Sequence, residues 1–174
     1  MKLNIGGEQK KEGWKILNIQ KKEGVDFIGD ISDLSQFDES SIDEIYASHI
    51  VEHVDQNKIK KTLKGIHRIL KKNGKFYISV PDMDVLCRIF MAKEAPKKAK
   101  FHAMTMMFGG QTDKYDYHYF GWNYEFLKDY LTEAGFKDLE RVKSFGLFDD
   151  TSDFAPYDNG NGKVPISLNV IAYK

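Results

Sequence analysis

Three side chains that can do chemistry lie close together in the first third of the chain: His49, Glu52 and His53. Their spacing, His-x-x-Glu-His, matches the inverted zinc-hydrolase motif, in which two histidines four residues apart on one helical face share a metal ion. The histidines could instead act as general bases, because an unperturbed imidazole pKa of ~6.5 leaves the ring mostly neutral at cellular pH. A third interpretation gives Glu52 and His53 a structural task only, as a helix cap or as partners of each other.

The zinc interpretation requires one helix across the whole motif and a further glutamate ligand, for which Glu94 and Glu125 are the candidates. Residues 43–48, however, have the apolar pattern of a buried strand, so His49 is expected at a strand exit. Polar groups that leave the end of a central strand lie where open α/β sheets bind ligands. We therefore predict no metal, and we name His49 and His53 as candidate catalytic bases.

The composition is typical of one globular domain. The 174 residues are 41% hydrophobic and 13% aromatic, which allows a substantial core. The 26 basic residues balance 26 acidic ones, so no net charge favours nucleic acid or an anionic membrane as a partner. Because we find no membrane-spanning apolar run, no signal peptide and only one cysteine, we expect a cytoplasmic protein. The sequence does not determine the oligomeric state.

The pattern of elements around the motif predicts a layered α/β fold. Strand patterns occupy 2–5, 14–19, 25–28, 43–48, 75–80, 137–144 and 166–173, and helices are predicted from Asn57 to about Gly74, after Asp82 and after Asn123. Strands that alternate with helices imply a mainly parallel sheet of about seven strands, and the closing strand pair suggests an antiparallel edge. Residues 97–122, rich in aromatic and methionine side chains, are expected to be irregular and to form either a lid or a loop packed on the core.

Segments spread over nearly the whole chain carry a resemblance to a known family: 3–7, 13–14, 25–30, 40–43, 46–54, 67–74, 80–82, 123–135 and 166–171. The most specific parts are the block at 46–54 and the pattern Arg-Ile-Leu-Lys-x-x-Gly at 68–74. Together they resemble the compact, type 11-like class I S-adenosylmethionine-dependent methyltransferases. They are closest to the branch that lacks an N-terminal helix and is often linked to sugar or polysaccharide genes. The resemblance implies a Rossmann-like fold and S-adenosylmethionine as the cofactor.

The resemblance also implies a cofactor site along the strand ends. Gly6 and Gly7, on the first turn, would meet the methionine carboxylate through backbone amides. Asp30 and Ile31 match the positions that meet adenine by a hydrogen bond and an apolar contact. Ser48, together with His49, matches the segment beside the methyl group and the acceptor.

Two positions depart from the family pattern. Glu8 stands where the second glycine of a G-x-G turn is expected, and its charge would repel the methionine carboxylate. Asn18 replaces the acidic residue that usually holds the ribose hydroxyls, so the hydrogen bond loses its charge assistance. His118, Tyr117 and Asp82 are further candidates for contact with the acceptor.

The sequence therefore leaves more than one function open. The first is an S-adenosylmethionine-dependent methyltransferase that acts on a hydroxyl or amine of a small molecule or sugar. The second is a catalytically silent, methyltransferase-like binding or partner protein, which the residues at positions 8 and 18 suggest. The zinc hydrolase is the most remote alternative.

Overall fold

A seven-stranded sheet forms the centre of the fold in a computed structural model that describes residues 1–158 and 162–174. The strands are β1 (Lys2–Ile5), β2 (Trp14–Asn18), β3 (Phe27–Ile28), β4 (Ile42–Ser48), β5 (Leu70–Pro81), β6 (Lys137–Val142), β7 (Tyr157–Asp158), β8 (Lys163–Val164) and β9 (Ser167–Tyr173). The helices are α1 (Gln56–Ile69), α2 (Met83–Met91), α3 (Lys97–Phe108) and α4 (Tyr124–Ala134), with short 3-10 helices at Val51–His53 and Thr151–Asp153. Strands β7 and β8 pair separately from the main sheet.

The strand order in the main sheet is β3-β2-β1-β4-β5-β9-β6. The first five strands of this order are parallel, whereas β9 runs antiparallel to both β5 and β6. The predicted mainly parallel sheet with an antiparallel edge is therefore confirmed. Strand order reverses at β1, which lies between β2 and β4, and open α/β sheets bind ligands beyond the carboxyl ends of the strands at such a switch point.

Helix α1 forms as its apolar period predicts. Ile59, Leu63 and Ile66 are fully buried, and burying each such side chain contributes about 1.5–3 kcal/mol relative to leaving it in water. Asp55 caps the helix by accepting a hydrogen bond of 2.8 Å from the Asn57 amide.

The predicted end of α1 near Gly74 was wrong. The helix stops at Ile69, and Leu70 already pairs with Ile42 as the first residue of β5. Pairing with β4 takes the place of a last helical turn. Asn73 has a positive φ of 62°, in a part of β5 where the register with β4 shifts. The apolar period of the helix could not predict this end, because the end depends on pairing with β4, which is distant in the sequence.

The sequence had predicted that residues 97–122 are irregular, but only the second half of this segment is. The first half forms α3, which packs on α2. Apolar side chains surround this helix instead of forming a stripe: Ala103 is its buried residue, while Phe101 and Phe108 are exposed. The sequence of this segment therefore shows no apolar stripe of helical period. Among the described residues, no helix has both the length and the apolar character needed to cross a membrane.

Candidate active site

A cavity of about 480 Å³ opens at the carboxyl ends of β1 and β2, on the side of the switch point. Its volume lies within the ~300–1,000 Å³ that small-molecule and cofactor sites usually occupy. The predicted site residues that line it are Gly6, Glu8, Asn18, Asp30, Ile31 and His53. The structure thus brings together, in one wall, most of the residues assigned to a cofactor.

The first turn is tightly packed and depends on its glycines. Gly6 has a φ of 78°, and a Cβ there would lie 2.0 Å from Cδ1 of Ile50. A Cβ on Gly7 would meet the side chain of Asn4 at 2.1 Å. The amide of Gly6 donates a hydrogen bond of 2.7 Å to the carbonyl of Leu17, so this N–H is already used in joining β1 to β2. A methionine carboxylate bound at this turn would therefore need a hydrogen-bond donor other than the Gly6 amide.

Glu8 is accompanied by a cation that the sequence analysis did not foresee. The Lys22 ammonium forms an ion pair with the Glu8 carboxylate, and both side chains line the cavity. Because the pair is exposed, it stabilises the fold by at most about 1 kcal/mol and opens readily. Lys22 therefore offsets the negative charge of Glu8 and supplies a positive group beside the turn.

Asn18 supports the turn with both ends of its amide. Its Nδ2 donates to the carbonyls of Gly6 and Gly7 at 3.3 and 3.4 Å, and its Oδ1 accepts from the Gln20 amide at 2.9 Å. The side chain is thus committed to the backbone, although it also lines the cavity. Gln20 lines the cavity as well, and its polar side chain is available to form a hydrogen bond to a ribose.

His49 is turned away from this cavity. It has a φ of 52° at the exit of β4, and its Nε2 lies 2.8 Å from the Ser167 hydroxyl. Ser167 donates its own proton to the Thr151 carbonyl at 2.9 Å, so the neutral His49 ring carries its proton on Nε2 and donates to Ser167. Burial lowers the pKa of His49 to about 3, so the ring stays neutral at any physiological pH.

Ser48 and Gly7 belong to a second, smaller cavity of about 320 Å³ on the other side of the first turn. The Ser48 hydroxyl donates to Asp150 at 3.1 Å, and the Tyr46 hydroxyl donates to the same carboxylate at 2.8 Å. Asp150 was not singled out from the sequence, because nothing in its local pattern distinguishes it from other loop aspartates. Ser48 therefore lines a different cavity from the one that most of the predicted cofactor residues line.

Glu52, His53 and His118 form a cluster beside the larger cavity. Nitrogen or oxygen atoms of the three side chains lie within 4.8 Å of one another, and the two imidazole rings meet edge to face with centroids 4.6 Å apart. Glu52 is fully buried, which raises its pKa to about 8. Burial also lowers the pKa of both histidines, that of His118 to about 4. These rings are therefore neutral and keep a lone pair.

The helix that the zinc-hydrolase motif requires is not formed. His49 lies outside the 3-10 helix Val51–His53, and its ring is held by Ser167. The structure instead joins Glu52 and His53 to a histidine from a distant segment, and neither Glu94 nor Glu125 takes part in the cluster. The hydrolase interpretation therefore loses its structural basis.

The remaining acceptor candidates divide between the pocket wall and the core. The Tyr117 carbonyl lies 3.1 Å from Nδ1 of His53, while the side chains of Tyr115 and Tyr119 line the cavity. Asp82 is only 2% exposed, caps α2 and forms an ion pair of 2.9 Å with Arg141. Its carboxylate is therefore already engaged by α2 and Arg141, and its contact with the acceptor stays a prediction.

Comparisons with known proteins agree with this geometry. Residues 7–78 match the family described as a methyltransferase domain. A methyltransferase dependent on S-adenosylmethionine from Archaeoglobus fulgidus is 19% identical, with a TM-score of 0.62 over 99% of this chain and 85% of that one. Another such methyltransferase, from Thermotoga maritima, is 15% identical, with a TM-score of 0.60 over 99% and 81% of the two chains.

A third solved structure was determined with a ligand. The 1,6-didemethyltoxoflavin-N1-methyltransferase of Burkholderia thailandensis, with bound S-adenosylhomocysteine, is 16% identical, with a TM-score of 0.59 over 99% of this chain and 70% of that one. A comparison with curated proteins gives no match. The chain has the class I methyltransferase fold, and the predicted resemblance to the S-adenosylmethionine-dependent methyltransferases is confirmed.

Proposed function

We propose that the chain transfers the methyl group of S-adenosylmethionine to a hydroxyl or amine of a small-molecule or sugar acceptor. The observation that carries this proposal is the cavity at the switch point of the sheet, where Gly6, Asp30 and Ile31 share one wall. These residues follow the ends of two separate strands, β1 and β3, and the resemblance assigns all three to the same cofactor. Their convergence in a cavity of suitable volume is therefore more than a match of sequence patterns.

The residues present fit the cofactor, although not in every detail that the family pattern implies. Ile31 is an apolar side chain at the wall, and Asp30 is a carboxylate beside it, which together suit adenine. Gln20 can hydrogen-bond to ribose in place of the missing acid, and Lys22 can meet the methionine carboxylate in place of the occupied Gly6 amide. Bound S-adenosylmethionine would supply a methyl group on a sulfonium, which is transferred by in-line displacement.

The protein's own contribution is to position the two reactants and to handle the acceptor proton. His53 is the predicted catalytic histidine that lines the cavity, and it marks the acceptor end. Tyr115 and Tyr119 lie at the same end and can exclude water from the reacting atoms. His49, which donates to Ser167, serves to hold the strand exit and not to contact the acceptor.

The proposal is tested by calorimetric titration of S-adenosylhomocysteine into the wild-type chain and two matched variants. Asp30→Ala removes a carboxylate from the cavity, whereas Asp38→Ala removes an exposed carboxylate outside it. We expect binding to wild type and Asp38→Ala with equal affinity and at least about tenfold weaker binding to Asp30→Ala, because a charged hydrogen bond contributes about 1.5–3 kcal/mol. Equal affinity in all three proteins, or none in any, would contradict the proposed site.

A further inference from the structure

We infer that Glu52, His53 and His118 bind one divalent transition-metal ion at the acceptor end of the cavity. The three residues come from the 3-10 helix after β4 and from the segment after α3. Binding of the ion follows from this cluster alone. The role that we give the ion, which is to hold a hydroxyl acceptor, rests on the proposed function.

Glu52 provides the first argument. The residue is 0% exposed, and among the described residues neither carboxylate oxygen has a hydrogen-bond partner. The nearest ring nitrogen is Nδ1 of His49, 3.4 Å from Oε1. Because the neutral His49 carries its proton on Nε2, Nδ1 has no hydrogen to donate to this oxygen. A buried carboxyl group whose oxygens have no partner is costly, and a cation that displaces its proton satisfies those oxygens.

The two histidines provide the second argument, through the tautomer that each must adopt. Nδ1 of His53 lies 3.1 Å from the Tyr117 carbonyl, and Nδ1 of His118 lies 2.9 Å from the Met106 carbonyl. A carbonyl only accepts, so each Nδ1 carries the proton and each Nε2 keeps its lone pair. Hydrogen bonding of the far ring nitrogen to a backbone carbonyl is the usual arrangement of metal-binding histidines, because it fixes both the tautomer and the ring orientation.

The distances fit an ion after a small adjustment. Ligand atoms about 2.0–2.2 Å from one ion stand roughly 3.0–3.6 Å from each other. The atoms of Glu52, His53 and His118 already lie within 4.8 Å, so side-chain movements of about 1 Å close the site. Two imidazoles and one carboxylate suit Zn²⁺, Mn²⁺, Fe²⁺ or Co²⁺ and leave coordination positions open for another ligand.

Backbone contacts hold the two halves of the cluster together. The Tyr119 amide donates to the Glu52 carbonyl at 2.8 Å, and Nε2 of Gln56 donates to the Tyr119 carbonyl at 2.8 Å. Through Tyr119, the segment that carries His118 is therefore tied to the 3-10 helix and to the start of α1. The backbone around the cluster is held in place before an ion arrives, so binding costs little ordering of the chain.

The position of the ion indicates the class of acceptor. His53 lines the cavity, so the open coordination positions face the acceptor end. A hydroxyl bound to a divalent cation loses its proton more easily, which favours a sugar-type acceptor whose neighbouring hydroxyl completes the coordination. In the transfer, the acceptor oxygen forms a bond to the methyl carbon, the sulfur–carbon bond breaks with its electron pair left on sulfur, and the hydroxyl proton goes to water.

The test is a titration of metal-free protein with Co²⁺, followed by its visible d–d absorption, which reports the ligands directly. We expect one Co²⁺ per chain in the wild type and at least about tenfold weaker binding in Glu52→Gln, His53→Gln and His118→Gln. His102→Gln is the matched control, because His102 lies on α3 and packs against Phe154 outside the cluster. The control should bind as the wild type does.

Two results would overturn the inference: no Co²⁺ spectrum with the wild-type chain, or the same affinity in the three cluster variants as in His102→Gln. Affinity for S-adenosylhomocysteine is measured on each protein in parallel, and it also shows whether a variant has folded. If Co²⁺ binds and S-adenosylhomocysteine does not, the metal site stands and the proposed function fails. If S-adenosylhomocysteine binds and Co²⁺ does not, the proposed function is retained and the metal site is rejected.

Discussion

The imidazole rings of His53 and His118 meet edge to face with centroids 4.6 Å apart, although one ring follows β4 and the other follows α3. The contact shows that the segment after α3 folds back over the carboxyl end of the sheet. Tyr115 and Tyr119 consequently reach the wall of the cavity on the same side as His53. The two ends of this cavity are thus supplied by different parts of the chain.

Replacing Gly6 with alanine tests the packing of the first turn. The new Cβ would lie 2.0 Å from Cδ1 of Ile50, so Gly6→Ala should destabilise the fold by about 1–3 kcal/mol beyond the cost of its positive φ. Gly13→Ala is the matched control, since Gly13 has a φ of 80° with nothing within 4 Å of its Cβ. Urea unfolding measures both variants, and equal losses would show that the turn tolerates a side chain.

The two departures from the family pattern can be reversed together. Because Lys22 pairs with Glu8 and Asn18 supports the turn, the double variant Glu8→Gly, Asn18→Asp should bind S-adenosylhomocysteine within about threefold of the wild type, or about 0.7 kcal/mol. Calorimetry compares the two proteins. A hundredfold gain in the double variant would instead indicate that this chain has lost its cofactor and acts as a silent partner protein.

Asp82 should affect stability and leave the cofactor site unchanged. It is buried, caps α2 and pairs with Arg141, so Asp82→Ala should cost about 1–3 kcal/mol in the free energy of unfolding, because the helix end loses its cap and a charged hydrogen bond is lost. Arg141→Ala should also destabilise the fold, because it leaves the buried Asp82 carboxylate without its cation. If Asp82→Ala folds normally but loses its acceptor, the original assignment of Asp82 to the substrate would be restored.

The Asp43 carboxylate predicts a specific dependence of stability on pH. A hydrogen bond from Lys71 is the first cause that lowers the pKa of Asp43, to about 2. This stabilisation is present above the ordinary pKa of 3.8 and is lost as the pH falls from 3.8 towards 2. Asp43→Asn should therefore be less stable than the wild type at pH 7, by less than about 1 kcal/mol for so exposed a pair, and nearly equal at pH 2. A difference that persists at pH 2 would assign the effect to packing.

The sequence predicted those parts of the fold in which local pattern and tertiary packing agree. The period of Ile59, Leu63 and Ile66 gave α1, and the resemblance assigned Gly6 and Ile31 to one cofactor site. The end of α1 was missed because Leu70 pairs with a distant strand, and α3 was missed because its apolar side chains form no stripe.

The candidate site shows the same division. Residues at strand ends were predicted as pocket lining, and most of them line it. The pairing of Lys22 with Glu8 and the meeting of Glu52 with His118 depend on how loops return over the sheet. No pattern of spacing along a single sequence records such returns, so these contacts could be found only in three dimensions.

A crystal structure of the chain grown with S-adenosylhomocysteine tests the central claim most directly, because it shows where the cofactor lies. We expect density in the cavity of about 480 Å³, with adenine against Ile31 and Asp30 and the amino-acid end beside Gly6 and Lys22. Density only in the smaller cavity beside Asp150, or none at millimolar ligand, would contradict it.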